Sequence, residues 1–351
     1  MFDEGANLPE NIINDSEASM KDVAGLAGVS TATVSHVING SRNVRPETRS
    51  KVEKAIQTLS YHVNPTARKL RNGRSSIVGF VVSNLTNYFY IEIGSAIEAL
   101  ISPAGYQLFY MNSEESAEKE ASHISNCVLE NFAGLIIVPV EQDWKKLEKL
   151  IGNTPCVFLD RCPAGARKDV VLSTNSQGAF SGAMELIKRG ARHIAFLAPS
   201  LDPTMQERIE GYEDALHQNG LEVDHECVLF GDTRPKTFSD MLKARDWDKL
   251  LEFVIKEKHV DAIFSGNSIF AFSALNYLHR NNIRIPEDLL FATFDAAFWM
   301  YSVNSPVIAV EQDKTKLGTV AAELLIRRMS GEVFPLAEKR IDTSLILLND
   351  A

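Results

Sequence analysis

What the sequence withholds narrows the field before any motif is read. No Asp or Glu occurs from Val23 to Pro46, nor from Lys54 to Ile91, so a polyanion approaching either stretch meets little repulsion. No apolar run approaches the roughly eighteen residues that a membrane-spanning helix needs. The first residues, MFDEGANLPENIINDSEAS, have neither the cationic start nor the apolar stretch of a signal peptide. A cytoplasmic protein without membrane contact is expected. The only cysteines are Cys127, Cys156, Cys162 and Cys227, with no CxxC pair and no histidine at ligand spacing. That pattern predicts ordinary thiols, with neither a disulfide framework nor a metal site. Enzyme signatures are missing too: there is no GxGxxG after a strand, no P-loop, no GxSxG and no HExxH, and the histidines are dispersed. No catalytic residue and no cofactor are expected, and the chain does not read as an enzyme.

What is present is enough apolar material for more than one core. The chain has 351 residues, 45% of them hydrophobic, which predicts two or three domains. The net charge of −10 argues against nucleic-acid binding until it is partitioned. Residues 1–18 carry five acids and no Lys or Arg, whereas residues 19–74 carry ten Lys/Arg against three Asp/Glu. A compact cationic segment thus precedes an anionic body, and residues 1–18 read as a disordered acidic tail.

Within the cationic segment, KDVAGLAGVSTATVSHVING holds two short helical patterns that meet at Gly28. Val23, Ala24 and Ala27 recur at helical spacing, and Val34 and Val37 continue the pattern after Ser30. Gly28 suits a tight turn that needs positive φ, and Ser30 suits the N-cap of the second helix, accepting from the amide of Thr33. With Val23, Ala27, Val29, Val34 and Val37 facing inward, the second helix turns Thr31, Ala32, Thr33, Ser35, His36 and Asn39 outward. Short polar groups without negative charge fit a major groove. A third helix is predicted over Glu47–Leu59, and a short one within NPTARKLRNGRSS, where Arg68, Lys69, Arg71 and Arg74 flank Leu70. That last segment is too short to be stable alone and reads as one that folds against DNA.

The stretch from Lys21, followed by PETRSKVEKAIQTLSYHVNPTARKLRNGRS, resembles the amino-terminal region of the lactose and galactose repressor family. STATVSHVIN is especially similar to the recognition helix of the purine repressors within it, and the likeness covers nearly the whole chain after residue 19. The resemblance implies that Thr31, Ala32 and His36 sit at base-reading positions and that Leu70 is a minor-groove wedge carried by paired hinge helices. By that resemblance Ala32 stands where a Thr is expected, so the preferred half-site is left open.

After Ser75 the pattern changes to apolar runs alternating with amphipathic stretches. IVGFVV, QLFYM, GLIIVPV and CVFL make one series, and HIAFLA, CVLFG, DAIFSG and LLFATFD make a second. Both sets of intervals accommodate strand, helix and two loops, so each set predicts a doubly wound parallel sheet. The fold class expected is an all-α helix-turn-helix domain over residues 19–62 and a hinge helix over 63–74. These join a two-lobed α/β domain over 75–351 that is similar to periplasmic binding proteins. Lobe one is assigned to residues 75–173 and 312–335, lobe two to 174–311 and 336–351.

Ligands of open α/β sheets bind beyond the carboxyl ends of the strands. Those ends offer Ser83 with Asn87, Asp160 with Arg161, Asn267 with Ser268, and Asp295, joined by Arg208 at the start of a helix. Taken together in two lobes they favour a polar small molecule. The resemblance implies contacts from Asp160, Arg208, Asn267 and Asp295, with Arg208 forking onto a carboxylate or onto vicinal hydroxyls. Phe89 and Tyr90 are further candidates, and Tyr88, Phe270, Phe298 and Trp299 are either cleft residues or core. The pair Asn267-Ser268 and the pair Thr233-Arg234 depart from the family pattern, so the usual sugar is not assumed. A homodimer through the first lobe is expected, because two recognition helices on a symmetric dimer read a palindromic operator. The expectation is a repressor of double-stranded operator DNA controlled by a small-molecule effector. Its rivals are a solute-binding protein, which the cationic head disfavours, and a doubly wound enzyme.

Overall fold

The computed structural model describes residues 19–39, 44–59, 75–198, 201–231 and 247–349. The chain divides into two units, Met1–Gly73 and Arg74–Ala351, each described by itself. Residues 1–18, the expected hinge helix with Arg68 and Leu70, and the pair Thr233-Arg234 lie outside the described residues.

The first unit contains α1 (Met20–Ala27), α2 (Thr31–Asn39) and α3 (Pro46–Thr58). Its start is fixed by a capping box: the Asp22 amide donates to Ser19 Oγ, and Asp22 Oδ2 accepts from the Ser19 amide at 2.8 Å. The Ser19 hydrogen bonds hold the Asp22 carboxyl below its usual range. Gly28 ends α1 with φ 64° and ψ 36°, and the Val29 amide closes the turn onto Ala24 O at 3.0 Å. Ser30 Oγ accepts from the Thr33 amide at 3.1 Å, the cap expected from the sequence. Val23, Ala24, Ala27, Val34, Val37, Val52 and Ala55 form the buried core, with Val29, Ile56 and Leu59 packed at its margin.

The second unit follows the order β1 (Ile77–Val82), α4 (Tyr88–Ile101), β2 (Gln107–Asn112), α5 (Ala117–Leu129), β3 (Gly134–Ile137), α6 (Trp144–Ile151), β4 (Cys156–Leu159) and β5 (Asp169–Ser173). It continues through α7 (Asn175–Lys188), β6 (Ile194–Ala198), α8 (Pro203–Gln218), β7 (Val228–Phe230), α9 (Asp248–Lys256), β8 (Ala262–Ser265), α10 (Ser268–Arg280) and β9 (Leu290–Phe294). The last elements are β10 (Val307–Gln312), α11 (Lys314–Met329), β11 (Glu338–Ile341) and β12 (Thr343–Leu348). One sheet runs β11-β5-β4-β3-β1-β2 with every pair parallel, and the other runs β12-β10-β9-β8-β6-β7. The second sheet is not purely parallel, because β12 lies antiparallel to β10 at its edge.

Helices cover both faces of each sheet, so strands such as β1, β3, β4 and β8 are nearly uniformly apolar and buried. Helix α7 approaches α8 closely because Gly211 has no side chain: a Cβ there would stand 2.0 Å from Ser176 O. The chain passes between lobes at Thr174, at Asp313 and at Asp342. The third passage differs from the boundary expected after residue 335. Glu338–Ile341 pairs with β5 before the chain leaves, an edge pairing that the short run EKRI does not announce. The first and third passages are stitched together. The Thr174 amide donates to Ile341 O at 2.9 Å, and Thr174 Oγ1 accepts from the Thr343 amide at 3.2 Å. No described helix is long and apolar enough to cross a membrane.

Candidate functional site

Two surfaces carry the chemistry. On the first unit, Thr31 and Ala32 are exposed at the start of α2, while Thr33, Ser35 and His36 are half-buried. The Thr33 hydroxyl lies 2.9 Å from Ser30 Oγ and so helps to cap the helix as well as bordering its outward face. Asn39 is the last residue of α2, and its side chain lies outside the description. No acidic side chain belongs to α2.

The second surface is a cavity at the carboxyl ends of the strands of both sheets, with about 630 Å³ of atom-free space, part of it open to solvent. Eight candidates line it: Ser83, Asn87, Phe89, Tyr90 and Asp160 from the first lobe, Arg208, Asn267 and Asp295 from the second; Arg161 joins them, whereas Ser268, also drawn from a strand end, does not. Asn87 and Asn267 are also N-caps, their Oδ1 atoms accepting from the Phe89 amide at 3.2 Å and the Phe270 amide at 3.0 Å. Cap and cavity roles therefore coexist, since the amide nitrogen of each stays available.

Asp160 and Asp295 occupy matching positions. Each follows a strand, β4 or β9, and each has φ 65°, in the left-handed region that Asp tolerates better than most residues. The Asp160 amide donates to Val171 O and the Asp295 amide to Val310 O, both at 2.9 Å. The same kink in each lobe thus turns one carboxyl group into the cavity. Tyr90 Oη donates to Asp160 Oδ2 at 2.9 Å, and Ser83 Oγ donates to Tyr90 Oη at 3.2 Å. Burial pushes the Asp160 carboxyl up against the opposing pull of Arg161 and Arg208, and burial with the Asp160 charge raises Tyr90 well above its ordinary value.

Both arginines are largely committed. Arg161 forks onto Glu115 at 2.9 and 3.1 Å, with Asp202 3.6 Å away. Arg208 donates from Nε to Asn175 Oδ1 at 3.0 Å and from Nη1 to Gly266 O at 2.7 Å, while its guanidinium lies 3.7 Å above the Phe294 ring. Opposite them, Asp295 Oδ2 accepts from Gln312 Nε2 at 2.8 Å. Asp295 Oδ1 and Gln312 Oε1 are buried without a hydrogen-bond partner among the described residues. Two unpaired acceptors, beside an Arg208 that keeps Nη2 free of the bonds above, let this cavity accept from and donate to a bound molecule.

Burial pushes Asp295 up to about 6, with Lys314 and Arg208 drawing it down. The sign follows directly: the folded chain holds the proton more tightly, so this group's contribution falls as pH rises between its unfolded value of 3.8 and about 6. Asp295→Asn is expected to melt higher than the wild type at pH 8, by about 3 kcal/mol, and to show little difference at pH 4. Thermal melts across that range check it, and parallel curves for the two proteins would refute the assignment.

Sequence reasoning missed Glu115, Asp202, Thr204 and Gln312 as lining residues, although each follows or ends a strand. Of the six aromatic candidates, Phe89, Tyr90 and Phe270 line the cavity. Tyr88, Phe298 and Trp299 do not. Tyr88 and Phe298 pair edge-on at 5.1 Å while both stay exposed, and Trp299 packs on Phe272 at 5.1 Å. Away from the cavity, His193, Asp224 and Cys227 converge.

The comparisons agree with this architecture. Residues 19–64 match the model described as bacterial regulatory proteins, lacI family, and residues 183–347 match a periplasmic binding protein-like domain. The chain is 30% identical over 338 residues to the HTH-type transcriptional repressor PurR of Aliivibrio fischeri (strain MJ11), covering 94% of this chain and 98% of that protein. Among solved structures it is similar to a transcriptional regulator CelR–cellobiose complex, at 28% identity and a TM-score of 0.66, covering 94% and 98% of the two chains. The lac repressor dimer bound to operator and the anti-inducer ONPF shares the fold, with a TM-score of 0.79 at 24% identity over 94% of this chain and 98% of that one.

Proposed function

The chain belongs to the lacI family of bacterial regulatory proteins, and from that premise we propose that it is a cytoplasmic homodimeric repressor released from or driven onto a palindromic operator by a small polyhydroxylated effector. The single observation that carries the effector part is the convergence of Asp160, Arg208, Asn267 and Asp295 from two lobes on one cavity. Asp295 Oδ1 and Gln312 Oε1 call for donors, while the bonds of Arg208 occupy Nε and Nη1 and leave Nη2 for a ligand oxygen. Hydroxyl groups, which both donate to those acceptors and accept from Arg208, suit the site better than acids, whose carboxylates would face Asp160 and Asp295. The similar regulator in complex with cellobiose is consistent with that class.

Operator binding is assigned to Thr31, Ala32, Thr33, Ser35, His36 and Asn39 of α2, with Arg68 and Leu70 as minor-groove partners. Gel shifts on DNA upstream of the gene, repeated over a salt series, test the assignment. Specific binding should weaken steeply with salt as phosphate contacts are lost. Equal weak binding to every member of a randomised duplex pool would end it. By linkage, an effector that changes operator affinity by some factor must itself bind operator-bound protein with affinity changed by the same factor.

The dimer is assigned to the first lobe, where β2 is an edge strand and Phe109 and Leu129 are 56% and 76% exposed. A sheet edge bearing Phe109, with Leu129 exposed at the end of α5, calls for a cover. Phe109→Asp with Leu129→Asp should sediment as a monomer and lose at least about 100-fold in operator affinity, because one half-site alone supplies too little interface. A dimeric double variant moves the interface elsewhere.

A further inference from the structure

We propose that His193, Asp224 and Cys227 form a zinc-binding site on the second lobe, at the end of the sheet away from the effector cavity. His193 immediately precedes β6, and Cys227 immediately precedes β7. The two therefore sit at the amino ends of neighbouring parallel strands, whereas the cavity lies at the carboxyl ends. Asp224 caps the short 3-10 turn His225–Cys227, its Oδ1 accepting from the Glu226 amide at 2.9 Å. That bond leaves Oδ2 aimed at the other two side chains.

Distances carry the inference. Cys227 Sγ lies 3.5 Å from His193 Nε2 and 3.6 Å from Asp224 Oδ2, and His193 Nε2 lies 3.8 Å from Asp224 Oδ2. A tetrahedral zinc with Zn–S near 2.3 Å and Zn–N or Zn–O near 2.0–2.1 Å has ligand-to-ligand edges of about 3.3–3.6 Å. The three atoms thus already outline one face of such a tetrahedron, needing a closure of a few tenths of an ångström at the His–Asp edge. The frame behind them is fixed: Asp261 accepts from the Arg192 and His193 amides at 2.8 and 3.0 Å. Sulfur, imidazole and carboxylate together select zinc over magnesium or calcium.

Lys258 is the competitor. Its Nζ donates to Asp224 Oδ2 at 3.0 Å and also to Glu226. Without metal, burial and the Asp224 charge push the Cys227 thiol up to about 12, so it carries its proton. On binding, that proton goes to solvent as the Zn–S bond forms. The dication is then balanced by one thiolate and one carboxylate, and Lys258 keeps Glu226 as its counter-ion. Water completes the tetrahedron. Affinity should therefore rise with pH.

The test uses the reduced, chelator-treated full chain, titrated first with cobalt chloride and then with zinc chloride. The expected result is one equivalent of cobalt, a thiolate-to-cobalt charge-transfer band, and loss of that band on adding zinc. Cys227→Ser should abolish the band while Cys162→Ser keeps it, and His193→Ala should weaken binding at least about tenfold. Lys258→Met should tighten it roughly tenfold by removing the competing ammonium. Zinc should raise the melting midpoint of the wild type and not that of Cys227→Ser, which reports folding of the variant independently. No thiolate band, a band that survives in Cys227→Ser, or unchanged affinity in Lys258→Met each overturns the proposal.

Discussion

Ala32→Glu is expected to lower operator affinity on the order of 1,000-fold while leaving the melting transition unchanged. Ala32 is exposed near the start of α2, outside the core that holds the three helices together, so the substitution removes no packing. What it adds is a carboxylate on a face that has none over the whole of α2. A lost base contact with added repulsion costs roughly 2 kcal/mol per recognition helix; two helices on a symmetric dimer double that, and each 1.4 kcal/mol is a factor of about ten. Fluorescence anisotropy with a labelled operator measures it. A variant that binds within about tenfold of the wild type removes α2 from the groove.

Arg208→Met is expected to cost about 3–5 kcal/mol of folding stability, and to abolish the melting shift given by whichever sugar stabilises the wild type. The side chain is nearly fully buried, and three separate partners depend on it: Asn175 Oδ1, Gly266 O and the face of Phe294. Met fills much of the volume but donates to none of them, so two buried acceptors lose their hydrogen bonds. Asp160 and Asp295 also lose a neighbouring positive charge that favours their ionised forms. The damage extends further, because Asn175 Nδ2 donates to Glu207, which Arg340 of β11 clasps with two bonds at 2.9 Å. Differential scanning fluorimetry with and without the sugar reads both effects. A variant that melts with the wild type and keeps the sugar-induced shift removes Arg208 from the site.

Legibility in the sequence followed how local each determinant was. Ser30 could be assigned as a cap, and Gly28 as a turn, because their partners lie within a few residues. Ser83, Asn87, Asp160, Asn267 and Asp295 were accessible because a polar residue after a strand marks a place in any open α/β sheet, whatever the register, whereas Arg208, Phe89 and Tyr90 lie on helices. Glu115 and Gln312 also stand at strand ends, but Gln312 closes β10, a run absent from the two series read as strands, and Glu115 sits three residues beyond β2. Tyr88, Phe298 and Trp299 show the converse failure: aromatic character near a strand end does not say which way a ring turns. The convergence of His193 and Cys227 was invisible because 34 residues separate them, and only the pairing of β6 with β7 brings their strand starts side by side. The early exit assigned after residue 335 failed for a related reason, as Glu338–Ile341 is too polar to advertise itself as a sheet edge.

Thr174 ties two of the three connecting segments into a single ribbon. A ribbon bends readily out of its plane and resists bending within it, so the two halves should swing about one axis like a door. An enzyme that nicks the backbone at Asp342 would therefore leave Thr174 and Asp313 still joining both leaves, and the cut chain should go on opening and shutting around its occupant.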